Sequence, residues 1–359
     1  MESLAMSFAD YAGRRVLLTG HTGFKGGWLA LWLERLGATV CGLALPPDTN
    51  PSLFDALRLG ETVESNLADI RDVEAVKRVM TDTAPEIVFH LAAQPLVRHS
   101  YIAPIETLAT NVMGTAHVLE AARNCPSVRA IVVVTTDKCY ENRGWDSGYR
   151  ESDRLGGHDP YSVSKACAEL VASAWRSSYW QADDAPLLAT ARAGNVIGGG
   201  DWAADRLVPD VVRAIGSGQI VLVRNPAAIR PWQHVLEPLA GYLMLGARLL
   251  AGDRSFADAW NFGPALGDMQ SVSALCEVLC KRLGGEWRHD EGEHPHEAAV
   301  LRLDSSHAML KLGWAPRWTL VQALELTADW YARASRGEDA RALTLEQVSA
   351  YEAACGVQQ

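Results

Sequence analysis

Val16-Leu17-Leu18-Thr19-Gly20-His21-Thr22-Gly23-Phe24-Lys25-Gly26 runs from apolar residues through three evenly spaced glycines. An apolar, strand-like run enters glycines at G-x-x-G-x-x-G spacing, and a helical pattern then covers 26–36. A strand turning through glycine into a helix lets an anion approach backbone N–H groups at the positive end of the helix dipole. The spacing therefore predicts that Gly20, Thr22, Gly23, Phe24, Lys25 and Gly26 cradle the pyrophosphate of a dinucleotide.

Working outward, strand-like runs at 16–19, 39–45, 86–90, 131–135 and 187–191 alternate with helical patterns around 26–36, 73–80, 105–123 and 161–178. That alternation predicts an α/β fold, a Rossmann-type doubly wound parallel sheet. Past Arg192 the pattern becomes glycine-rich and irregular, which predicts a smaller C-terminal substrate-binding lobe. We divide the chain into a dinucleotide-binding domain (1–191 plus about 232–263), a lobe (192–231 plus 264–335) and a helical tail (336–359).

Thirty-three Lys and Arg against 43 Asp and Glu give a net charge of −10, which argues against nucleic-acid and anionic-membrane partners. The seven cysteines are scattered, without zinc or disulfide spacing, as expected of a cytoplasmic protein. Met1-Glu2-Ser3-Leu4-Ala5-Met6 begins no secretory signal, and no apolar run reaches the roughly 20 residues of a membrane span.

Two features bear on the cofactor. His21 puts a bulky residue into the glycine turn, where it is expected to crowd the pyrophosphate and weaken binding. Ala44 stands where a ribose-binding acid is usual, and Pro46, Pro47 and Asp48 offer no arginine for a 2′-phosphate, so NAD is favoured over NADP. Asp69 and Ile70, after a third strand, suit the adenine, and Leu91, Ala92, Ala93 and Gln94 let backbone pass close to the dinucleotide. Asn111 and Thr135 are assigned to the same cofactor.

The chemistry is expected where Ile131-Val132-Val133-Val134 runs into Thr135-Thr136-Asp137-Lys138-Cys139-Tyr140, a strand end with more polar groups than a solvated cap needs. Tyr161 and Lys165, four apart on a helical pattern, share one face. A lysine ammonium and a cationic nicotinamide would pull the phenol below its usual value of about 10, so that Tyr161 acts as a base.

These stretches, with Arg230-Pro231-Trp232-Gln233-His234-Val235, Leu303-Asp304-Ser305-Ser306 and Leu312-Gly313-Trp314, resemble the extended short-chain dehydrogenase/reductase superfamily. Within it the chain is similar to the CDP-glucose 4,6-dehydratases, whose Thr-Asp-Lys is the discriminating tripeptide. The resemblance implies NAD as cofactor, CDP-glucose as substrate and a homodimer. It also implies that Tyr161 takes the 4-hydroxyl proton, Lys138 the C5 proton, that Asp137 protonates the leaving 6-hydroxyl and that Thr136 holds the 4-oxygen. Lys165 supports Tyr161, and Gln94, Asn195, Arg206 and Arg230 are the expected substrate ligands. A dehydratase or 4-epimerase of another nucleotide sugar, and a non-catalytic NAD sensor, are the alternatives.

Glu293-His294-Pro295-His296-Glu297 invites a metal reading, but Pro295 breaks helical ligand spacing and the chemistry needs none, so no metal is expected. Cys276 and Cys280 read as core thiols, and Trp28 and Trp32 as packing residues.

Overall fold

The computed structural model describes residues 8–292 and 300–356. The 293–297 stretch lies outside the described residues.

Strands β1 (Arg15–Thr19), β2 (Thr39–Ala44), β3 (Glu64–Leu67), β4 (Ile87–His90), β5 (Ala130–Val134) and β6 (Leu187–Ala193) form one parallel sheet with a seventh strand, Ala259–Phe262. Its order is seventh-β6-β5-β4-β1-β2-β3, so the winding direction reverses between β1 and β4 and leaves a crevice at their carboxyl ends. Both faces are covered. Ala130, Val132 and Val134 of β5 join the core on one side, Ile131 and Val133 that on the other, as a strand's period of two requires.

Local chemistry sets the flanking helices. Asp72 caps Val73–Thr83 by accepting from the Glu74 and Ala75 N–H groups. Asp159 accepts from Ser162 N ahead of Pro160–Ser178, with Pro160 in the first turn where its missing N–H costs nothing. The helix expected over 105–123 is broken: Pro104–Leu108 and Gly114–Arg123 are joined by a π-helical turn, Ala109–Met113. At Gly114 a Cβ would lie 2.5 Å from Ile70 Cδ1, so the helix approaches the β3 end too closely for a side chain there.

Beyond β6 the chain leaves the sheet for short pairs: Val196–Ile197 with Gln233–His234, Ile229–Arg230 with Gln270–Ser271, and Val221–Val223 with Trp287–His289. It returns between them, with helix Leu236–Leu250 packing on β5 and β6 before the seventh strand. The last helix, Ala340–Ala354, docks on the first, Phe24–Arg35, where Glu352 accepts from Trp32 Nε1 and Arg35 Nε.

Candidate active site

The glycine turn has the shape its sequence predicts. Gly20 adopts φ +79°, and a Cβ there would meet Ala92 N at 2.8 Å; at Gly26 it would meet Gly20 O at 2.0 Å. Gly23 caps helix Phe24–Arg35 without a side-chain acceptor, so the first-turn N–H groups stay available to an anion. These features fit a dinucleotide pyrophosphate.

His21 departs from expectation. Its ring is fully buried and turned under the turn: Nε2 lies 2.7 Å from Ser65 Oγ and the ring packs edge-on to Phe54. Space for it comes from Gly42 of β2, where a Cβ would stand 2.4 Å from the imidazole. The side chain therefore does not occupy the phosphate path, and crowding is not how it acts.

Across the switch point, Thr19 Oγ1 accepts from the Leu91 and Ala92 N–H groups and lies 2.7 Å from His90 Nδ1. Asn111, in the π-helical turn, accepts from Gln94 N at 2.8 Å and donates to Gln94 O and Ser164 Oγ. It thus lies behind the 91–94 loop and shapes it, rather than lining the cavity. The Gln94 amide donates to Thr107 Oγ1. Asp69 and Ile70 stand at the cavity rim; Arg71 hydrogen-bonds the Asp69 carboxyl and holds it below its usual range.

The strand end at β5 becomes a one-turn 3-10 helix, Asp137–Cys139, capped by Thr136. Thr136 Oγ1 donates to Asp137 Oδ1 at 3.0 Å, while Asp137 Oδ2 is buried without a partner among the described residues. Burial raises the Asp137 pKa against the opposing charges of Lys138, Arg230 and Lys25 and the Thr136 bond. Lys138 is half-buried and also lines the cavity.

Tyr161 and Lys165 are each 7% exposed, in the first two turns of the Pro160–Ser178 helix. Lys165 Nζ donates to Val134 O at 3.2 Å. Burial pushes the Tyr161 phenol up to about 12, helped by the Asp137 and Asp159 carboxylates; hydrogen bonding to Thr136 and the Arg206 guanidinium work in the other direction. Burial also pulls Lys165 down to about 8 against the pull of Glu169, and Lys25 to about 7.

Of the expected substrate ligands, Asn195 Oδ1 is buried without a partner among the described residues. Arg230 is 6% exposed, with Nη1 donating to Ile229 O, and the buried Asp201 pairs with Arg206 through both its oxygens. Sequence reasoning missed Asp201, and it missed Asp205, which bridges Arg98 and Arg224 at the cavity mouth. Asp201 and Asp205 lie within the irregular segment, where no period marks a partner. The expected site residues, Asn111 excepted, line one cavity of about 1160 Å³ together with Asp201 and Asp205. That exceeds the roughly 300–1,000 Å³ of a single-ligand pocket and gives room for a dinucleotide and a second nucleotide together.

Residues 17–327 match the family described as GDP-mannose 4,6 dehydratase. The chain is 49% identical to the CDP-glucose 4,6-dehydratase of Salmonella typhimurium, over 96% of this chain and 98% of that one. It is 26% identical to the dTDP-glucose 4,6-dehydratase of Xanthomonas campestris pv. campestris, over 88% and 92%. The fold is that of the dTDP-glucose 4,6-dehydratase of Streptomyces venezuelae, solved with NAD bound: TM-score 0.77 at 23% identity, covering 90% of this chain and 98% of that one. With the match running from β1 through the C-terminal lobe, the chain belongs to the GDP-mannose 4,6 dehydratase family.

Proposed function

We propose that this protein is an NAD-dependent hydro-lyase that converts CDP-D-glucose to CDP-4-keto-6-deoxy-D-glucose, a step of deoxysugar biosynthesis. What carries the reading is a buried, unpartnered Asp137 carboxyl oxygen beside Lys138, in the same cavity as Tyr161. The CDP-glucose assignment draws support from 49% identity, over nearly the full length, to an enzyme of that name.

NAD would be held by the 20–26 turn, Asp69, Ile70, the 91–94 loop, Thr135, Tyr161 and Lys165, and would supply a hydride acceptor for C4 and later a hydride donor for C6. Tyr161 takes the proton of the 4-hydroxyl and Thr136 holds the resulting oxygen. The 4-ketone acidifies C5–H, and Lys138 removes that proton. Asp137, whose protonated form burial favours, delivers its proton to the departing 6-hydroxyl. Hydride given back at C6, with Lys138 returning a proton to C5, closes the cycle without net redox change. Asn195, Arg206, Arg230 and Gln94 hold the nucleotide sugar, the arginines through its diphosphate.

Two further parts of the reading rest on the surface and on the thiols. Ile102, Ile105, Met113, Val163 and Leu170 are exposed on neighbouring flank helices, an apolar face suited to a second copy of the chain. All seven cysteines are free, as in a reducing cytoplasm, and among the described residues no helix is long and apolar enough to cross a membrane.

The test is product analysis from CDP-, dTDP-, UDP- and GDP-glucose with NAD supplied. A 4-keto-6-deoxy sugar formed from CDP-glucose, with kcat/KM at least about tenfold above the other three, is expected. A C4-inverted sugar without a lasting ketone, or no turnover, would refute it.

A further inference from the structure

The helix that carries Tyr161 and Lys165 presents a third polar group on the same face. Glu169 follows Lys165 by four residues and is 3% exposed. Its carboxylate accepts hydrogen bonds from Thr135 Oγ1 and, at 2.7 Å, from Thr190 Oγ1, and it pairs with Arg192 Nη2 at 2.8 Å. Arg192 turns Nη1 to the Tyr140 hydroxyl, also at 2.7 Å, with its guanidinium over the Tyr140 ring. That hydroxyl in turn donates to Asn261 Oδ1 on the seventh strand.

Thr135 immediately precedes Thr136-Asp137-Lys138, and Tyr140 follows it by two residues. One buried ion pair thus grips the chain on both sides of the tripeptide. Removing two charges from water is costly, and apolar packing would hold the fold as well, so the pair calls for a purpose beyond stability. Tyr161 and Lys165 need no such grip, because a helix of 19 residues already fixes them. Asp137 and Lys138 sit on a single 3-10 turn, held by the bonds of Thr136 at its start and by Gly156 N donating to Cys139 O at its end.

We propose that the Glu169–Arg192 pair, acting through Thr135 and Tyr140, is the positioning device of the elimination step, setting where Asp137 and Lys138 stand relative to C5 and the 6-oxygen of the sugar. The inference rests on the dehydratase reading above.

Tyr140→Phe tests it, because the ring and its stacking on Tyr149 survive while the bonds to Arg192 and Asn261 are lost. In single turnovers with CDP-glucose, cofactor reduction reports oxidation at C4 and product mass reports loss of water. Elimination should slow by about ten- to a hundredfold, the scale of a misplacement near 1 Å, with oxidation slowed far less. Amide exchange across 136–139, measured on the chain without ligands, should accelerate. Glu169→Gln should show the same selectivity; if it does not fold, Tyr140→Phe decides alone. Equal slowing of both steps, or of neither, would overturn the proposal. A wild-type chain that forms no 4-keto-6-deoxy sugar would instead sink the reading beneath it.

Discussion

At the scale of the residue, the active site is governed by burial acting on charge. Asp137 is 1% exposed with one free oxygen, a setting that favours its protonated form and suits an acid. The same burial opposes Tyr161, whose base form needs a nearby cation, and here the guanidinium acting on it is that of Arg206, clamped by Asp201. Because that charge lowers the phenol pKa, removing it raises the pKa and leaves less phenolate at any given pH. Arg206→Ala should therefore move the rise of kcat with pH, at saturating substrate, to more alkaline values. It should cost up to about tenfold at neutral pH, short of the ~10²–10⁴ attached to losing the base itself. Arg206→Lys should restore much of the profile, and an unshifted profile in the alanine variant would remove Arg206 from this role. Sequence spacing could place Tyr161 and Lys165 on one face, yet not reveal that the Lys165 amine turns to Val134 O.

At the scale of the element, what was legible was local. The β1 turn and helix follow from glycines three apart, and β5 from an unbroken apolar run. The rotamer of His21 depends on Gly42 and Ser65 from β2 and β3, and the π-helical turn places Asn111 against a loop 17 residues away. Neither leaves a periodic trace. Tail docking is similar. Glu237, fully buried in helix Leu236–Leu250, accepts from the Arg317 and Trp318 N–H groups and from Tyr351 OH of the last helix. Burial pushes its pKa from 4.5 to about 7. The folded state therefore binds a proton between those pH values that the unfolded state has lost, and stability falls as pH rises through that window, by about 3 kcal/mol in order of magnitude. Glu237→Gln should flatten this part of the dependence of the denaturant midpoint between pH 5 and 8. A slope unchanged from wild type would show that Glu237 does not titrate with unfolding.

At the scale of the molecule, the catalytic groups come from one half and the expected substrate ligands, Gln94 apart, from the irregular segment that follows β6. Their alignment depends on how the parts are joined. Phe8, Trp32, Tyr351, Trp318, His234 and Trp28 form a continuous series of edge-on ring contacts linking the first helix, the lobe and the tail. That accounts for Trp28 and Trp32, which the sequence marked only as packing residues. The lobe itself was poorly legible because its strands are two or three residues long, below the length at which alternation can be read. The central claim is that phenol, carboxyl and amine converge on one hexose, each serving its own step. Single turnover of CDP-glucose by Lys138→Ala, with NAD reduction and product mass followed together, tests this most directly. The account predicts that NADH forms at close to the wild-type rate while water loss at C5 and C6 slows by about 10²-fold or more. Equal loss of both steps, or elimination at the wild-type rate, would contradict it.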